Sequence, residues 1–462
     1  MAAVQVLVTC PTPPGSGIFV STECPYAALH QKEPHPDPYA VYAQMRAEHG
    51  PIVPVEIEPG IRGWLVTDYK TLLDWCRDNA TFGRDARLWK DYREGRIGDA
   101  ASVLPMMVPG PSALHRDGAE HQRYRRAIID SFGGVSRSQL VSVTRHVAEH
   151  LVDTFCARGE ADVLDEYARN LPLLVVGELL GLDEERGLRF AYANRKVWLG
   201  EDAVRAGAES EQVLAETVAD KRENPGEDVT TRMLHHGSAL SDKEVIAQMS
   251  LLVAVANEPT ASFINSILRA VLTDTTGTTE RFLTGSNLDD LVDRMLWQDP
   301  PVTNYPVMYP RVDVPLDNGR VIEAGSPILP AWAATNRFFA EENTEKIADS
   351  ENRAHLSWGV GDHRCPFPDM ARTIVTVAVR TLLSRLPEIR LAVPVSDLRW
   401  NLSGLVWVPL GLPVTFTPQD PRATEGEEDP SSPPDGLRPE KPSGRSLLSS
   451  LSSLSGKLLR GS

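Results

Sequence analysis

The sequence predicts a mainly α fold with a smaller β-rich part. Apolar residues recur at helical spacing over long stretches, as in Leu140, Val143, Val147, Leu151 and Phe155, and again in Met370, Ile374, Val377, Ala378 and Leu382. A pattern from Ser241 to Leu272 reads as one long helix, opened by Ser241 with Glu244 three residues on, the signature of a capping box. Strand-like runs are short by comparison, at Ile52–Val55 and Gly63–Val66 and in hairpins beyond residue 310.

Composition narrows the function classes. The chain has 462 residues, 42% of them hydrophobic, which is enough to bury a large core. A net charge of −16 argues against nucleic acid as a partner, because phosphate binding needs a basic face. Met1 to Cys10 lacks the basic residues and cleavage pattern of a signal peptide, and no apolar run reads as long and clean enough to span a bilayer. The five cysteines (10, 24, 76, 156, 365) are scattered, form no CxxC, and suggest no disulfide framework. The expectation is a cytoplasmic protein with four parts. These are an irregular, Pro-rich segment at 1–35, a main domain at 36–417, a Pro, Ser, Glu and Asp-rich linker at 418–445, and a tail at 446–462.

The elements of the main domain follow in order. Tyr39, Val41, Tyr42 and Met45 mark a helix from Pro38 to about Gly50, and Tyr69 to Asp78 reads as another after the first two strands. Residues 83–114 form a long connection, a length that in a compact domain goes with function or motion. His121 and Arg125, four apart, share one face of the next helix. Residues 138–235 are helix-rich, with a second apolar run at Leu171–Leu180, and Pro225 to Asp228 marks a break before the long central helix. Pro259 interrupts that helix, removing an N–H and freeing the carbonyl of Val255, so a kink is expected. Leu288, Leu291, Val292 and Met295 form the apolar stripe of a short helix that Asp299-Pro300-Pro301 ends. Gly319 to Ile328 and residues 401–416 read as hairpins.

The segment from Trp358 to Cys365, Trp-Gly-Val-Gly-Asp-His-Arg-Cys, leads directly into a helix. Gly359 and Gly361 let the backbone approach a flat ligand closely, and a helix start favours S⁻ over S–H. The pattern resembles the haem-ligand loop of the cytochrome P450 superfamily, usually Phe-Gly-x-Gly-x-His-x-Cys-x-Gly followed by Leu-Ala-Arg. Here Trp358 stands for the Phe, Phe367 for the last Gly, and Met370-Ala371-Arg372 for the final triplet. The resemblance covers roughly residues 35 to 417. It implies the haem-thiolate fold, haem b with Cys365 as axial ligand, and His121, Arg125, Arg311 and His363 at the propionates, with Trp358, Gly359 and Gly361 completing the cradle. Ala333 to Arg337 matches the family's Ala-x-Asn-Arg, and Arg353 stands where an arginine of the meander is expected.

Two departures stand out. Val255 to Thr260 occupies the place of the family's Ala-Gly-x-Asp/Glu-Thr-Thr, so Glu258 matches the acid, Pro259 replaces the oxygen-handling Thr, and Thr260 takes the next position. Glu258 and Thr260 are the candidate catalytic residues, Glu258 the better placed for relaying protons. The Glu-x-x-Arg motif is replaced by Arg294 to Trp297, as in a minority of actinobacterial members. Asp290 or Asp293 is expected to take over the acid's part, with the Trp297 indole covering Arg353.

The activity implied is insertion of one oxygen atom from O2 into a small organic substrate. Electrons would come from a ferredoxin and its reductase, landing on Arg123, Arg126, Arg364 and Arg372. The altered motifs keep two alternatives open: a non-catalytic haem-binding sensor or assembly protein, and a peroxide-using or isomerase haem-thiolate enzyme. The tail, with leucines at 447, 448, 451, 454, 458 and 459, fits either an amphipathic helix for a membrane surface or protein partner, or an unfolded Ser-rich end.

Overall fold

The computed structural model describes residues 26–30, 34–98, 101–199, 203–274, 282, 287–344, 352–402 and 404–422. The tail and most of the linker lie outside the described residues. The chain stays fastened to the body past residue 418, since Gln419 N–H donates to the Cys156 carbonyl (2.9 Å) and Arg422 N–H to Asp153 (3.1 Å).

Helices dominate, and the largest buried cluster includes Gly118–Phe132, Arg137–Asp153, Asn170–Leu179, the central helix Asp242–Leu272 and the helix Pro368–Arg385 that follows the cysteine, with further helices packed around them. A second cluster packs the first helix, Pro38–His49, against a four-stranded sheet. In that sheet Ile52–Glu58 pairs antiparallel with Ile61–Val66, and Ala27–Ala28 and Ile328–Pro330 flank them in parallel. The closing hairpin pairs Trp400–Leu402 with Trp407–Pro409, and Pro413–Thr415 leaves it to join Glu160–Asp162 and Arg390–Leu391.

Local chemistry explains the helix starts. Asp37 accepts N–H bonds from Tyr39 and Ala40, and Asp68 from Thr71. At Ser241 both halves of the capping box form. The central helix then runs unbroken for 31 residues through Pro259. As one helix it is long and apolar enough to cross a membrane, which the run of letters did not suggest. It is a core element instead, with 72% of its most apolar window buried.

Two boundaries differ from the sequence reading. The break at Pro225 is followed by a separate short helix, Val229–Leu234, capped by Asp228, before the central helix begins. The expected 319–328 hairpin pairs Val314–Pro315 with Val321–Ile322 around Gly319, whose φ of 80° suits a glycine. Ile328 belongs to the larger sheet.

The helix Asn287–Gln298 shows how the missing ion pair is replaced. Asp293 is buried, and its carboxylate contacts Arg353 at 3.2 Å and also Arg372 of the helix after the cysteine. Trp297 does not act as expected. Its indole N–H donates to the Asn352 carbonyl at 2.8 Å, and its ring stacks beside Phe339 and Tyr69. Removing a buried charge partner typically costs roughly 3–5 kcal/mol, whereas an exposed pair contributes under about 1 kcal/mol. Asp293→Ala is therefore expected to lower unfolding stability several times more than Arg353→Ala, whose side chain is 65% exposed. Urea unfolding followed by circular dichroism checks this, and equal losses would place the clamp elsewhere.

Candidate active site

The cysteine loop is shaped by close backbone approaches. Gly361 has φ 73°, and a Cβ there would run into the carbonyl oxygen of Cys76. Cys365 N–H donates to the Trp358 carbonyl at 2.7 Å, and Phe367 N–H donates to the Cys365 sulfur at 3.4 Å. Cys76 and Cys156 are buried, while Cys365 is partly accessible. Burial pushes its thiol up, opposed by the Phe367 N–H and the charges of Arg125 and Arg364. A sulfur so placed has one amide donor and two nearby cations, and a metal cation is what would complete its thiolate.

His121, Arg125, Arg311 and His363 are brought together around this loop. The His121 and His363 rings lie 4.1 Å apart, and Arg125 donates to the Arg364 carbonyl at 2.5 Å. Burial, then the neighbouring His363 and Arg125, hold His121 down at about 4, so it is neutral at physiological pH. Sequence reasoning missed Asp117, the residue that organises the group. Its carboxylate accepts from Arg311 (2.6 Å), His363 Nε2 (3.2 Å) and the N–H groups of Arg84 (3.0 Å) and Asp85 (3.2 Å). Burial raises its pKa, but the His363 bond and the backbone donors outweigh that and hold it well below the usual carboxylate range. Gly83 is required here, because a Cβ would collide with Asp117 and Arg311. The one signal in the sequence was an Asp at the start of the His121 helix. That position suggests a cap, yet the Asp117 side chain makes no cap bond.

The central helix supplies a third wall. Val255 is 41% exposed and Ala254 is exposed too, although both sit mid-helix in the core. Glu258, one turn on, is buried, and neither carboxyl oxygen has a hydrogen-bond partner among the described residues. Arg169 Nε lies 3.8 Å away, close enough for charge attraction but not for a hydrogen bond. Burial raises the Glu258 carboxyl to about 7 against the pull of Arg169. Thr260 is buried about 200° around the helix from Glu258, so the two candidate catalytic side chains do not converge.

These residues fit a haem. A flat macrocycle with two carboxylates needs a sulfur donor, a cationic edge and an apolar wall. Cys365, the Arg125, His121, Arg311 and His363 group, and Val255 with its neighbours supply them. Trp358 and Gly359 complete the loop that carries the sulfur. The expected basic landing patch is smaller than the sequence suggested. Arg123 is engaged by Glu244 through two nitrogens (2.7 and 2.8 Å) and Arg372 by Asp293, which leaves Arg126 and Arg364 exposed.

Comparison with known proteins agrees with this geometry. The chain is 30% identical over 384 residues to cytochrome P450 107B1 of Saccharopolyspora erythraea, covering 79% of this chain and 91% of that protein. It is 29% identical over 381 residues to the mycinamicin IV hydroxylase/epoxidase of Micromonospora griseorubida, covering 80% and 93%. The solved structure of CYP154C4 from a Streptomyces species superposes with a TM-score of 0.72 at 23% identity, covering 84% of this chain and 98% of that one. No protein-family model matches the chain.

If Asp117 orients the propionate donors, Asp117→Ala and Gly83→Ala should both speed haem loss to apomyoglobin by about tenfold or more. In each variant the remaining bound haem should keep thiolate ligation. Retention equal to that of the unmodified protein in both variants would remove the organising role.

Proposed function

Since the chain belongs to the cytochrome P450 superfamily, whose members here are haem-thiolate monooxygenases, we propose that it inserts one oxygen atom from O2 into a small organic substrate with electrons from a ferredoxin and its reductase. The observation that carries the proposal is the Cys365 loop, with its sulfur accepting an amide N–H beside two arginines. Bound there, the haem supplies O2 activation, with the thiolate pushing electron density toward the iron to favour O–O cleavage.

The residues of this chain would do the rest. Cys365 holds the iron, while Arg125, Arg311, His121 and His363 hold the carboxylate edge, with Asp117 fixing the directions of Arg311 and His363. Pro259 takes the place where the family carries a hydroxyl, and Glu258 is the group beside it able to pass a proton at physiological pH. Thr260, turned away, has no part in that transfer. Arg126 and Arg364, beside the cysteine loop, form the basic contact for an acidic ferredoxin on an otherwise acidic protein. The reaction is assigned to the cytoplasm, with the tail as a candidate contact to a membrane surface or protein partner.

Turnover with ferredoxin and reductase, compared with peroxide alone, separates this reading from the sensor and from the peroxide-using or isomerase alternatives. Cys365→His should abolish the red-shifted Soret band of the reduced, CO-bound protein, whereas Cys76→Ser should keep it. A band surviving Cys365→His would sink the ligand assignment. Glu258 gives a second prediction through linkage. Its folded-state pKa of about 7 exceeds its ordinary 4.5. Its contribution to stability is therefore complete below pH 4.5 and is lost as pH rises through about 7. Glu258→Gln should flatten the Tm profile between pH 5 and 8 and slow product formation more than Thr260→Ala does.

A further inference from the structure

At 100° per residue, the face of the central helix that carries half-buried Leu251 and exposed Ala254 and Val255 continues into Glu258 and then into a polar row. Glu258, Ser262, Asn265, Ser266 and Arg269 fall within an arc of about 100°. In the core of a largely apolar helix such a row is costly without partners. Yet Asn265, 3% exposed, has an unpartnered Oδ1, and Glu258, 6% exposed, has two unpartnered oxygens among the described residues. The far end of the row converges on one carboxylate, although Arg269 Nε is itself unpartnered among the described residues. Ser266 Oγ donates to Asp299 at 2.8 Å, Arg269 reaches the same carboxylate at 2.6 Å, and the Tyr39 hydroxyl donates to its other oxygen at 3.0 Å. Asp299 is itself partly open to solvent, with a side-chain exposure of 17%.

We propose that this row is a proton route from the protein surface at Asp299, through Ser266 and Ser262, to Glu258. The proposal rests on Glu258 acting as the proton donor of the reaction. Successive i, i+4 side chains are about 6 Å apart, and one water can bridge oxygens about 5.5 Å apart. Buried waters collect where two to four polar atoms lack partners, which is the condition at Asn265 and Glu258. Each hydroxyl and water accepts one proton and donates one. The net event is one proton entering at Asp299 and one leaving Glu258, with no electron moved. The other neighbour of Glu258 offers no such route. A guanidinium only donates hydrogen bonds and has no acceptor with which to relay a proton, and Arg169 is held by Asp165 and by the Pro409 carbonyl at 3.0 Å. Its role is to steady the Glu258 charge.

The test reads the carboxyl C=O infrared band of Glu258 in the haem-loaded full chain, identified by its absence in Glu258→Gln. Its shift on transfer to D2O times the exchange of the Glu258 proton. Ser262→Val with Ser266→Val is expected to slow that exchange tenfold or more, to raise the solvent isotope effect on turnover, and to leave haem content unchanged. Ser262→Thr with Ser266→Thr, which restores both hydroxyls on the same branched shape, should recover the exchange. Exchange as fast in the valine pair as in the unmodified protein overturns the route. So does equal slowing in the threonine pair, which would reflect packing alone. Slowed exchange together with full turnover in Glu258→Gln would support the route and remove Glu258 from the reaction.

Discussion

A single carboxylate ties together parts of the chain that lie far apart in sequence and meet beside the cysteine loop. Asp117 is gripped by the backbone at Arg84 and Asp85, by Arg311 after its short strand, and by His363 in the cysteine loop. Each of these elements is short, and none would hold its direction by secondary structure alone. Charge-assisted bonds to one half-buried anion are stronger than neutral ones and fix geometry as well as energy. Gly83 gives up its side chain to let the carboxylate and Arg311 meet. The same four donors explain why burial fails to protonate this acid, whereas burial dominates at Glu258, with one cation at 3.8 Å in place of those donors, and raises it to about 7. Two carboxylates in one fold are thus set far apart by what faces them, one held as an anion and one raised toward neutrality.

The central helix carries the opposing demand. It must be apolar to fill the core between the Asn170–Leu179 and Pro368–Arg385 helices, and it also carries a row of buried polar side chains. The chain separates the two around the helix and along it. Val253, Phe263, Ile264, Ile267 and Leu268 are buried in the core, and Glu258, Ser262, Asn265, Ser266 and Arg269 occupy the face that continues from Val255, with Asn257 and Thr260 as polar exceptions on other faces. Proline within that helix costs one hydrogen bond, yet thirteen residues follow it in the same helix. The packing on either side is enough to hold the helix through the break.

The features legible in the sequence were those whose chemistry fixes residue type and spacing together. Two glycines, a histidine and a cysteine at set intervals named the loop, and Ser241 with Glu244 named the start of the central helix. Asp117 was not legible because its meaning lies in Arg311 and His363, 194 and 246 residues away. The basic patch was overread for the same reason. Arg123 looks exposed on a helical wheel until Glu244, 121 residues later, folds against it. Periodicity reports which face a residue occupies but not which charge comes to meet it.

The replaced ion pair illustrates how much freedom that leaves. The family's acid falls at Arg294, which here is exposed, while the acid one position earlier, Asp293, is buried. One residue back turns a side chain about 100° around the helix, and that step puts Asp293 four residues before Trp297, on the same face. The two then grip adjacent residues of one segment. Asp293 holds the side chain of Arg353, and Trp297 holds the carbonyl of Asn352. One contact is charged and one is neutral, so neither has to bear the full desolvation cost of a buried pair. The second contact of Asp293, with Arg372, lies on the helix that starts three residues after Cys365. The carboxylate therefore fixes the meander and the cysteine helix against each other, which is what holding a sulfur at a set position requires.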